Sequence, residues 1–299
     1  MKRIQCYASG MAEYVTLDLN VWEDFTDAVR DLREQEPALR MMAGGAQVPN
    51  LLFRGQREAS WKLETTLERS RPSSLTLYDY YRAIWAAKAQ IEAHTGRYWI
   101  TPRLRTFLEK AVDSEAGLYF KARFPAYDYM AYLRHHGFPS PLLDWSRSPY
   151  VAAFFAFREM SNDAGRVAIF AYRETASAVK VGLPAGPEIT VHGPYVRTHR
   201  RHFLQQCQYT MCTVFKPPIL GNSNSTPQWH YTSHENVFST AAPNPGLSGQ
   251  DLLWKFTLPR SERQRVLAYL DEHNLNAYSL FGSEEALMEM MAARELLNQ

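Results

Sequence analysis

Arg54 is the side chain of this sequence best suited to binding an anion. It follows Leu-Leu-Phe and precedes a glycine that permits a sharp turn, and this pattern over 51–56 predicts a short buried strand that delivers a guanidinium to a cavity. Because arginine is always charged, it needs an anionic partner, and its planar fork suits both a carboxylate and a ligand phosphate. The residues alone leave both alternatives open, an internal ion pair and a ligand site.

The run 134–146 carries the next reactive side chains. It places His135 and Asp144 among apolar residues. Asp144 is a candidate carboxylate partner for Arg54 or for a second arginine, Arg69, in a buried salt-bridged network. A His135–Asp144 pair could instead orient a general base that acts on an acceptor nucleophile. The simplest interpretation of His135 is a cap on the last carbonyls of its own helix.

Composition excludes several classes of protein. Net charge is +2, with 33 basic and 31 acidic residues, so there is no general charge for binding nucleic acid or an anionic membrane. Cys6, Cys207 and Cys212 show no zinc-site spacing, and we expect reduced core thiols and no metal site. The longest apolar stretch, 150–157, is far short of the roughly 20 residues that span a bilayer, which favours a cytoplasmic protein without membrane contact.

Hydrophobic patterns and capping signals predict the elements that position these side chains. Strands are predicted at 15–19, around Arg54, and at 166–172, 209–215 and 252–258. Helices are predicted after an Asn20 cap with Glu23, in an insertion at about 78–111, and at 125–137, 148–160, 261–272 and 283–297. The stretch 221–249 is predicted to be a long irregular loop. This order of elements favours an α+β fold.

Four segments, at 53–56, 134–146, 201–209 and 253–281, carry more polar and aromatic residues than a core needs. Together they resemble the FRG domain, a family named for its (Phe/Tyr)-Arg-Gly motif. The resemblance covers about 10–285 as a single domain with the helical insertion at about 78–111, and leaves 286–299 as the end of a C-terminal helix. Arg134, His136, Pro141 and Cys207 depart from the family pattern. The matching residues are Arg54, Trp61, Leu63, Arg69, His135, Gly137, Leu142, Leu143, Asp144, Trp145, Ser146, Ala152, Ala153, Phe155, Ala156, Arg201, Gln205 and Gln206.

The order of an Arg-Gly strand, a serine-bearing strand and a glutamine-rich strand is more loosely similar to the mono-ADP-ribosyltransferases. That resemblance implies a central antiparallel or mixed sheet, NAD as the small-molecule substrate, and an arginine that grips the dinucleotide. It implies catalytic roles for Arg54, His135, Asp144 and Gln205. It implies NAD contacts from Arg54, Gly55, Gln56, Arg69, Trp145, Ser146, Gln206 and Tyr209, with Trp145 or Tyr209 stacking on a nicotinamide or adenine ring.

The third motif of those enzymes is changed here. Glutamines at 205, 206 and 208 stand where a transferase places its glutamate, and an amide lacks the negative charge that stabilises a cationic transition state. Asp144 or Glu235 is a candidate replacement. The resemblance implies ADP-ribosyl transfer to a protein or nucleic-acid acceptor, or NAD hydrolysis, in a toxin or anti-phage defence setting. The alternatives are a non-catalytic nucleotide- or partner-binding module and, from the basic run 199–202, nucleic-acid processing.

Overall fold

A single mixed β-sheet organises the chain. The computed structural model describes residues 13–42, 49–70, 75–113, 115, 124–159, 164–174, 186–193, 196–218, 226–238 and 251–297. Eight strands in these ranges form one sheet. They are β1 (Glu13–Asp18), β2 (Leu52–Gln56), β3 (Leu143–Ser146), β4 (Arg166–Arg173), β5 (Glu188–His192), β6 (Cys207–Lys216), β7 (Gln228–Tyr231) and β8 (Leu252–Pro259).

Helices surround the sheet. They are α1 (Trp22–Glu34), α2 (Glu36–Met42), α3 (Thr66–Ser70), α4 (Leu77–Thr95), α5 (Leu104–Ala111), α6 (Tyr127–His135), α7 (Pro149–Phe157), α8 (Arg201–Leu204), α9 (Arg263–Glu272), α10 (Ala277–Phe281) and α11 (Glu284–Ala292). Short 3-10 turns lie at His234–Phe238 and Arg260–Glu262, and a π-helical turn lies at Ala293–Leu297. Within the described ranges, no helix combines the length and the hydrophobicity needed to cross a membrane.

The strand order is β1-β8-β4-β2-β3-β6-β5, and β7 pairs with the C-terminal half of β6. β1 runs parallel to β8, whereas the other pairs are antiparallel. β2 pairs with β4 along its whole length but meets β3 only where Phe53 lies opposite Ser146. The two strands that carry Arg54 and Asp144 therefore share little hydrogen bonding.

Helix α7 fixes the position of β2. Ser148 caps α7 by accepting a hydrogen bond from the Val151 N–H, and Pro149 is the first helical residue, as the sequence predicts. Gly55 lies within β2, so its predicted role in a sharp turn is wrong. A Cβ on Gly55 would lie 1.9 Å from the Ala152 carbonyl oxygen, and only glycine therefore allows α7 to approach this closely.

Three apolar clusters form the core. The first joins α1, α7 and α9 to one face of the sheet around Phe256. The second packs α4, α5 and α6 against β6, with the rings of Tyr81 and Phe107 stacked at a centroid distance of 3.9 Å. The third covers the other face of the sheet around Phe170. The helical insertion predicted at about 78–111 is thus the pair α4 and α5, which is packed into the body of the protein.

The prediction of helices around a mixed sheet is confirmed, with corrections at element ends. Helix α1 begins at Trp22 after Val21, because the Asp24 carboxylate, and not that of Glu23, accepts the backbone N–H groups of Asn20 and Val21. The helix predicted from Ser261 begins at Arg263. The stretch predicted as an irregular loop contains β7 and a 3-10 turn, while 219–225 and 239–250 lie outside the described residues, as does Cys6.

Candidate functional site

A cavity of about 650 Å³ lies where β2 and β3 separate, and its volume is within the roughly 300–1,000 Å³ of small-molecule sites. Its wall is built from β2 and the segment after it, the end of α6, β3, one side of α7, and the turn before β6. The lining residues are Phe53, Arg54, Gly55, Gln56, Arg57, Trp61, Lys62, Glu64, Arg69, His135, Asp144, Trp145, Ser146, Ala152, Phe155, Glu159, Gln205 and Cys207.

Arg54 enters this cavity from β2. Its Nη1 donates a hydrogen bond to the main-chain carbonyl of Asp144 at 2.7 Å, and its buried Nε has no hydrogen-bond partner in the part of the chain that the structure describes. Burial lowers the pKa of Arg54 to about 10, an effect that the nearby Asp144 charge partly offsets. The guanidinium is therefore still charged at neutral pH, and it has unused hydrogen-bonding capacity.

Asp144 is held by Arg134 instead of by Arg54. Both oxygens of its carboxylate accept hydrogen bonds from Arg134, at 3.1 Å from Nε and 2.6 Å from Nη2. The predicted Arg54–Asp144 carboxylate pair is therefore wrong, and so is a pair with Arg69, whose Nη1 donates to the Glu64 carbonyl at 2.9 Å. Arg134 stands where the family has a glutamine, and no periodicity in the sequence links it to Asp144.

His135 also has a partner other than the predicted one. Its Nε2 lies 2.6 Å from the Tyr209 hydroxyl, which in turn lies 3.3 Å from Nδ1 of His202. The predicted His135–Asp144 hydrogen bond and the predicted helix cap are therefore not formed. Burial lowers the pKa of His135 to about 4, so the imidazole is neutral at pH 7. Burial likewise raises the pKa of the Cys207 thiol beside this cluster.

The aromatic rings predicted to stack on a ligand are occupied elsewhere. Trp145 is only 2% exposed, donates from Nε1 to the Thr210 hydroxyl at 2.7 Å, and packs against Tyr172. Tyr209 is fully buried. The exposed aromatic ring of the cavity is that of Trp61, which is 45% exposed at the rim. The Arg57 guanidinium lies 4.8 Å above the Trp61 ring, which shows that a planar cation fits there.

The polar residues before β6 hold the backbone. The Ser146 hydroxyl donates to the Gln205 carbonyl at 2.8 Å and accepts the Ser148 N–H, so it links β3 to this turn and to α7. Gln205 lines the cavity, but its amide donates to Leu280 and accepts from Cys207. Gln206 lies in the turn at a positive φ of 49°, outside the cavity lining, and neither glutamine is on a strand as predicted.

The remaining predicted contacts differ in availability. Gly55 and Gln56 line the cavity, although the Gln56 amide nitrogen donates to the Lys62 carbonyl. Glu235 is not a lining residue, because its carboxylate accepts the Leu63 N–H at 3.1 Å behind the wall. Glu64 lines the cavity, and its carboxylate makes no hydrogen bond or ion pair with any described residue. Glu64 is not predicted from the sequence, because nothing in its spacing distinguishes it from a surface glutamate.

Positive charge is in excess in the cavity. Arg54, Lys62 and Arg69 make no ion pair with another described residue, whereas Arg57 is paired with Glu159 at the rim and Asp144 with Arg134. One unpaired carboxylate, that of Glu64, stands against these three cations. An excess of unpaired cations favours an anionic ligand, and paired oxyanions such as those of a pyrophosphate match two guanidinium forks.

Comparison with known proteins agrees with the motif. The family model described as FRG domain matches residues 49–165. No curated protein and no solved structure matches the chain. The matched segment is shorter than 10–285, so that wider boundary stays a prediction. It includes the cavity residues Arg54, Arg69, His135 and Asp144, and residues 49–165 are accordingly identified as an FRG domain.

Proposed function

We propose that the cavity binds NAD and that the protein transfers ADP-ribose from NAD to a protein or nucleic-acid acceptor, or to water. The observation that carries this proposal is the pair of arginines, Arg54 and Arg69, that line one cavity without a carboxylate partner among the described residues. Two guanidinium groups suit the two phosphates of a dinucleotide. The looser resemblance of the strand order to the mono-ADP-ribosyltransferases gives the reaction type.

Trp61 gives the ligand an aromatic contact. Its ring lies at the rim beside the arginines, and it is exposed enough to stack on a nicotinamide or adenine ring. A stacked base outside the arginines and a pyrophosphate between them account for both the apolar and the cationic parts of the lining. This assignment replaces the stacking roles predicted for Trp145 and Tyr209.

Glu64 is the carboxylate we assign to the reaction. The bond between nicotinamide and ribose breaks with its electron pair leaving on nicotinamide, and the ribose becomes an oxocarbenium-like cation. The acceptor oxygen or nitrogen then attacks this cation and loses its proton to solvent. A carboxylate near this centre stabilises the developing charge. Asp144 is neutralised by Arg134 and Glu235 binds a backbone N–H, whereas Glu64 has no such partner within the described chain.

Calorimetry with NAD and an assay of nicotinamide release test the proposal. We expect Arg54→Ala to abolish both, and Arg54→Lys to weaken binding by at least about tenfold because lysine lacks the bidentate fork. Glu64→Gln is expected to retain binding and to lose release. The control is Arg105→Ala, on the exposed surface of α5. The absence of NAD binding by the unmodified protein would overturn the proposal.

A binding module without turnover is the second candidate, and the Arg134–Asp144 pair favours it, because that pair neutralises Asp144, to which a catalytic role was assigned. NAD binding without nicotinamide release in the presence of protein and nucleic-acid acceptors is the result expected of such a module. A role as a toxin or defence effector requires turnover in cells. Expression of the unmodified protein, but not of Glu64→Gln, is then expected to lower cellular NAD.

A further inference from the structure

We propose that His135, His202 and Cys207 form a site for a zinc-class divalent cation at the inner wall of the cavity. The three side chains come from the end of α6, from α8 and from the first residue of β6. One ligand atom from each lies within 4.8 Å of the others. No spacing in the sequence indicates this set, because the fold brings the residues together from three separate elements, and we had expected no metal site.

The distances are close to those of a metal site. Zinc binds imidazole nitrogen at about 2.0–2.1 Å and thiolate sulfur at about 2.3 Å, which places tetrahedral ligand atoms roughly 3.3–3.7 Å apart. Atoms that already lie within 4.8 Å need only a small inward rotation of their side chains. Two imidazoles and one thiolate are the donors that zinc and cobalt prefer, whereas magnesium and calcium prefer oxygen ligands.

The Tyr209 hydroxyl contacts both proposed imidazole ligands. It lies between the two imidazoles, 2.6 Å from His135 and 3.3 Å from His202, and the ring of His202 stacks on that of Tyr209. An ion bound through these nitrogens must displace their hydrogen bonds to Tyr209, whereas an ion bound through the opposite ring nitrogens would leave these hydrogen bonds in place. Within the described chain, the same contacts without an ion form a plain hydrogen-bond chain, which is the alternative that the experiment must distinguish.

The position of the site suggests its role. His135 and Cys207 both line the cavity that contains Arg54, so a coordination position not filled by the protein faces the bound ligand. Three protein ligands and one open position are the pattern of catalytic rather than structural zinc sites. A dication bound by one thiolate leaves net positive charge there, which adds to the attraction of the arginines for an anion. This inference does not rest on NAD as the ligand.

Cobalt titration of chelator-treated protein tests the site directly. We expect one Co²⁺ per chain, with visible bands of tetrahedral cobalt and a near-ultraviolet thiolate-to-cobalt charge-transfer band. Cys207→Ser is expected to lose the charge-transfer band, and His202→Ala to weaken cobalt binding by at least about tenfold. The matched control is Cys212→Ser, on the same strand but buried in the cluster on the other face of the sheet.

Two further measurements keep the result unambiguous. Far-ultraviolet circular dichroism shows whether each variant is folded, and zinc is expected to raise the melting temperature of the unmodified protein and of Cys212→Ser but not of Cys207→Ser. Cobalt bands that persist in Cys207→Ser, or no cobalt bound by the folded unmodified protein, would overturn the site and leave the hydrogen-bond chain. Measurement of NAD binding by Arg54→Ala and by Cys207→Ser distinguishes a failure of the metal site from a failure of the proposed function.

Discussion

Arg134 is not among the partners predicted for Asp144, yet its side chain binds both oxygens of the Asp144 carboxylate. The pair is partly buried, with side-chain exposures of 16% and 32%, and both carboxylate oxygens are engaged. We predict that a double-mutant cycle with Arg134→Met and Asp144→Asn yields a coupling energy of about 1–3 kcal/mol in urea unfolding. The exposed pair Arg105–Glu109 is the control, for which we expect less than about 0.5 kcal/mol. Equal couplings for the two pairs would contradict the prediction.

Gly55 is required by packing, and a single methyl group tests this. In Gly55→Ala the new Cβ would meet the backbone of α7 at Ala152 and Ala156, so strand and helix must separate. We predict a loss of about 1–3 kcal/mol in the free energy of unfolding, with weaker binding of the proposed ligand NAD because Arg54 moves with the strand.

Gly96 provides the comparison for this substitution. It ends α4 at a φ of 66°, and an added Cβ there meets no atom within 4 Å. Gly96→Ala is therefore expected to lower the free energy of unfolding by about 1 kcal/mol through backbone strain alone. Binding of the proposed ligand NAD is expected to be unchanged. A Gly55→Ala protein as stable as Gly96→Ala would show that α7 can shift freely.

Residue types and motif order predict that Arg54, Arg69, His135 and Asp144 lie together. In the structure all four line the cavity. Their partners could not be predicted in the same way. Hydrogen bonds such as that from His135 to Tyr209 join residues far apart in sequence, and hydrophobic periodicity gives only the face of an element, not the direction of a polar side chain.

At the scale of elements, β5 contributes a buried histidine that links stability to pH. His192 is 5% exposed, lies against the rings of Phe124 and Tyr127, and has a pKa lowered by burial to about 4. Its unfolded pKa is about 6.5, so the unfolded chain binds the proton more readily between these values. Protonation of this histidine in the unfolded chain therefore lowers the free energy of unfolding by up to about 3 kcal/mol as pH falls from 7 to 4. Above pH 7 it leaves the free energy of unfolding unchanged.

Replacement of the imidazole isolates this contribution. His192→Phe keeps an aromatic ring beside Phe124 and Tyr127 but cannot bind a proton. We predict that the free energy of unfolding, measured by chemical unfolding at a series of pH values, decreases less steeply below about pH 6.5 in the variant than in the unmodified protein. This holds whatever the absolute stability of the variant. Parallel curves for the two proteins would show that other groups account for the acid sensitivity.

Helices were easier to predict than strands, for a physical reason. Ser148 before α7 and Ser283 before α11 accept the backbone N–H groups that a helix start leaves free, so the boundary is encoded locally. β5 and β7 have only five and four residues, and they form because β6 offers them a pairing edge. Such strands depend on a distant partner, which no local pattern reveals.

At the scale of the whole molecule, the segment matched by the family model is shorter than the unit expected to fold. The matched segment 49–165 contains β2 and β3, which pair with each other at one position only, while their main partners β4 and β6 lie beyond it. We predict that the isolated fragment 49–165 does not unfold cooperatively in urea and that 10–285 does. A cooperative transition of the short fragment, measured by circular dichroism, would contradict this.

The sheet order is the part of the fold that sequence reasoning could not supply. Branched and aromatic residues indicate the strands at 166–172, 209–215 and 252–258, but the parallel pairing of β1 with β8 joins the first and the last described strands. Pairing between strands so far apart in the sequence depends on which sheet edges and faces remain uncovered after the helices pack. The packing of the helices in turn depends on all the elements at once.

The pairing of β1 with β8 also sets the order of events during synthesis on the ribosome. β1 leaves the ribosome before the other strands of the sheet, yet its pairing partner β8, with Glu13 opposite Leu252, is the last of the described strands to be made. Until then β1 and the edge of β4 that faces β8 remain unpaired, and unpaired edges are where growing chains associate wrongly. The nascent protein therefore depends on protection of these two edges, and it completes its core only after release of β8 from the ribosome.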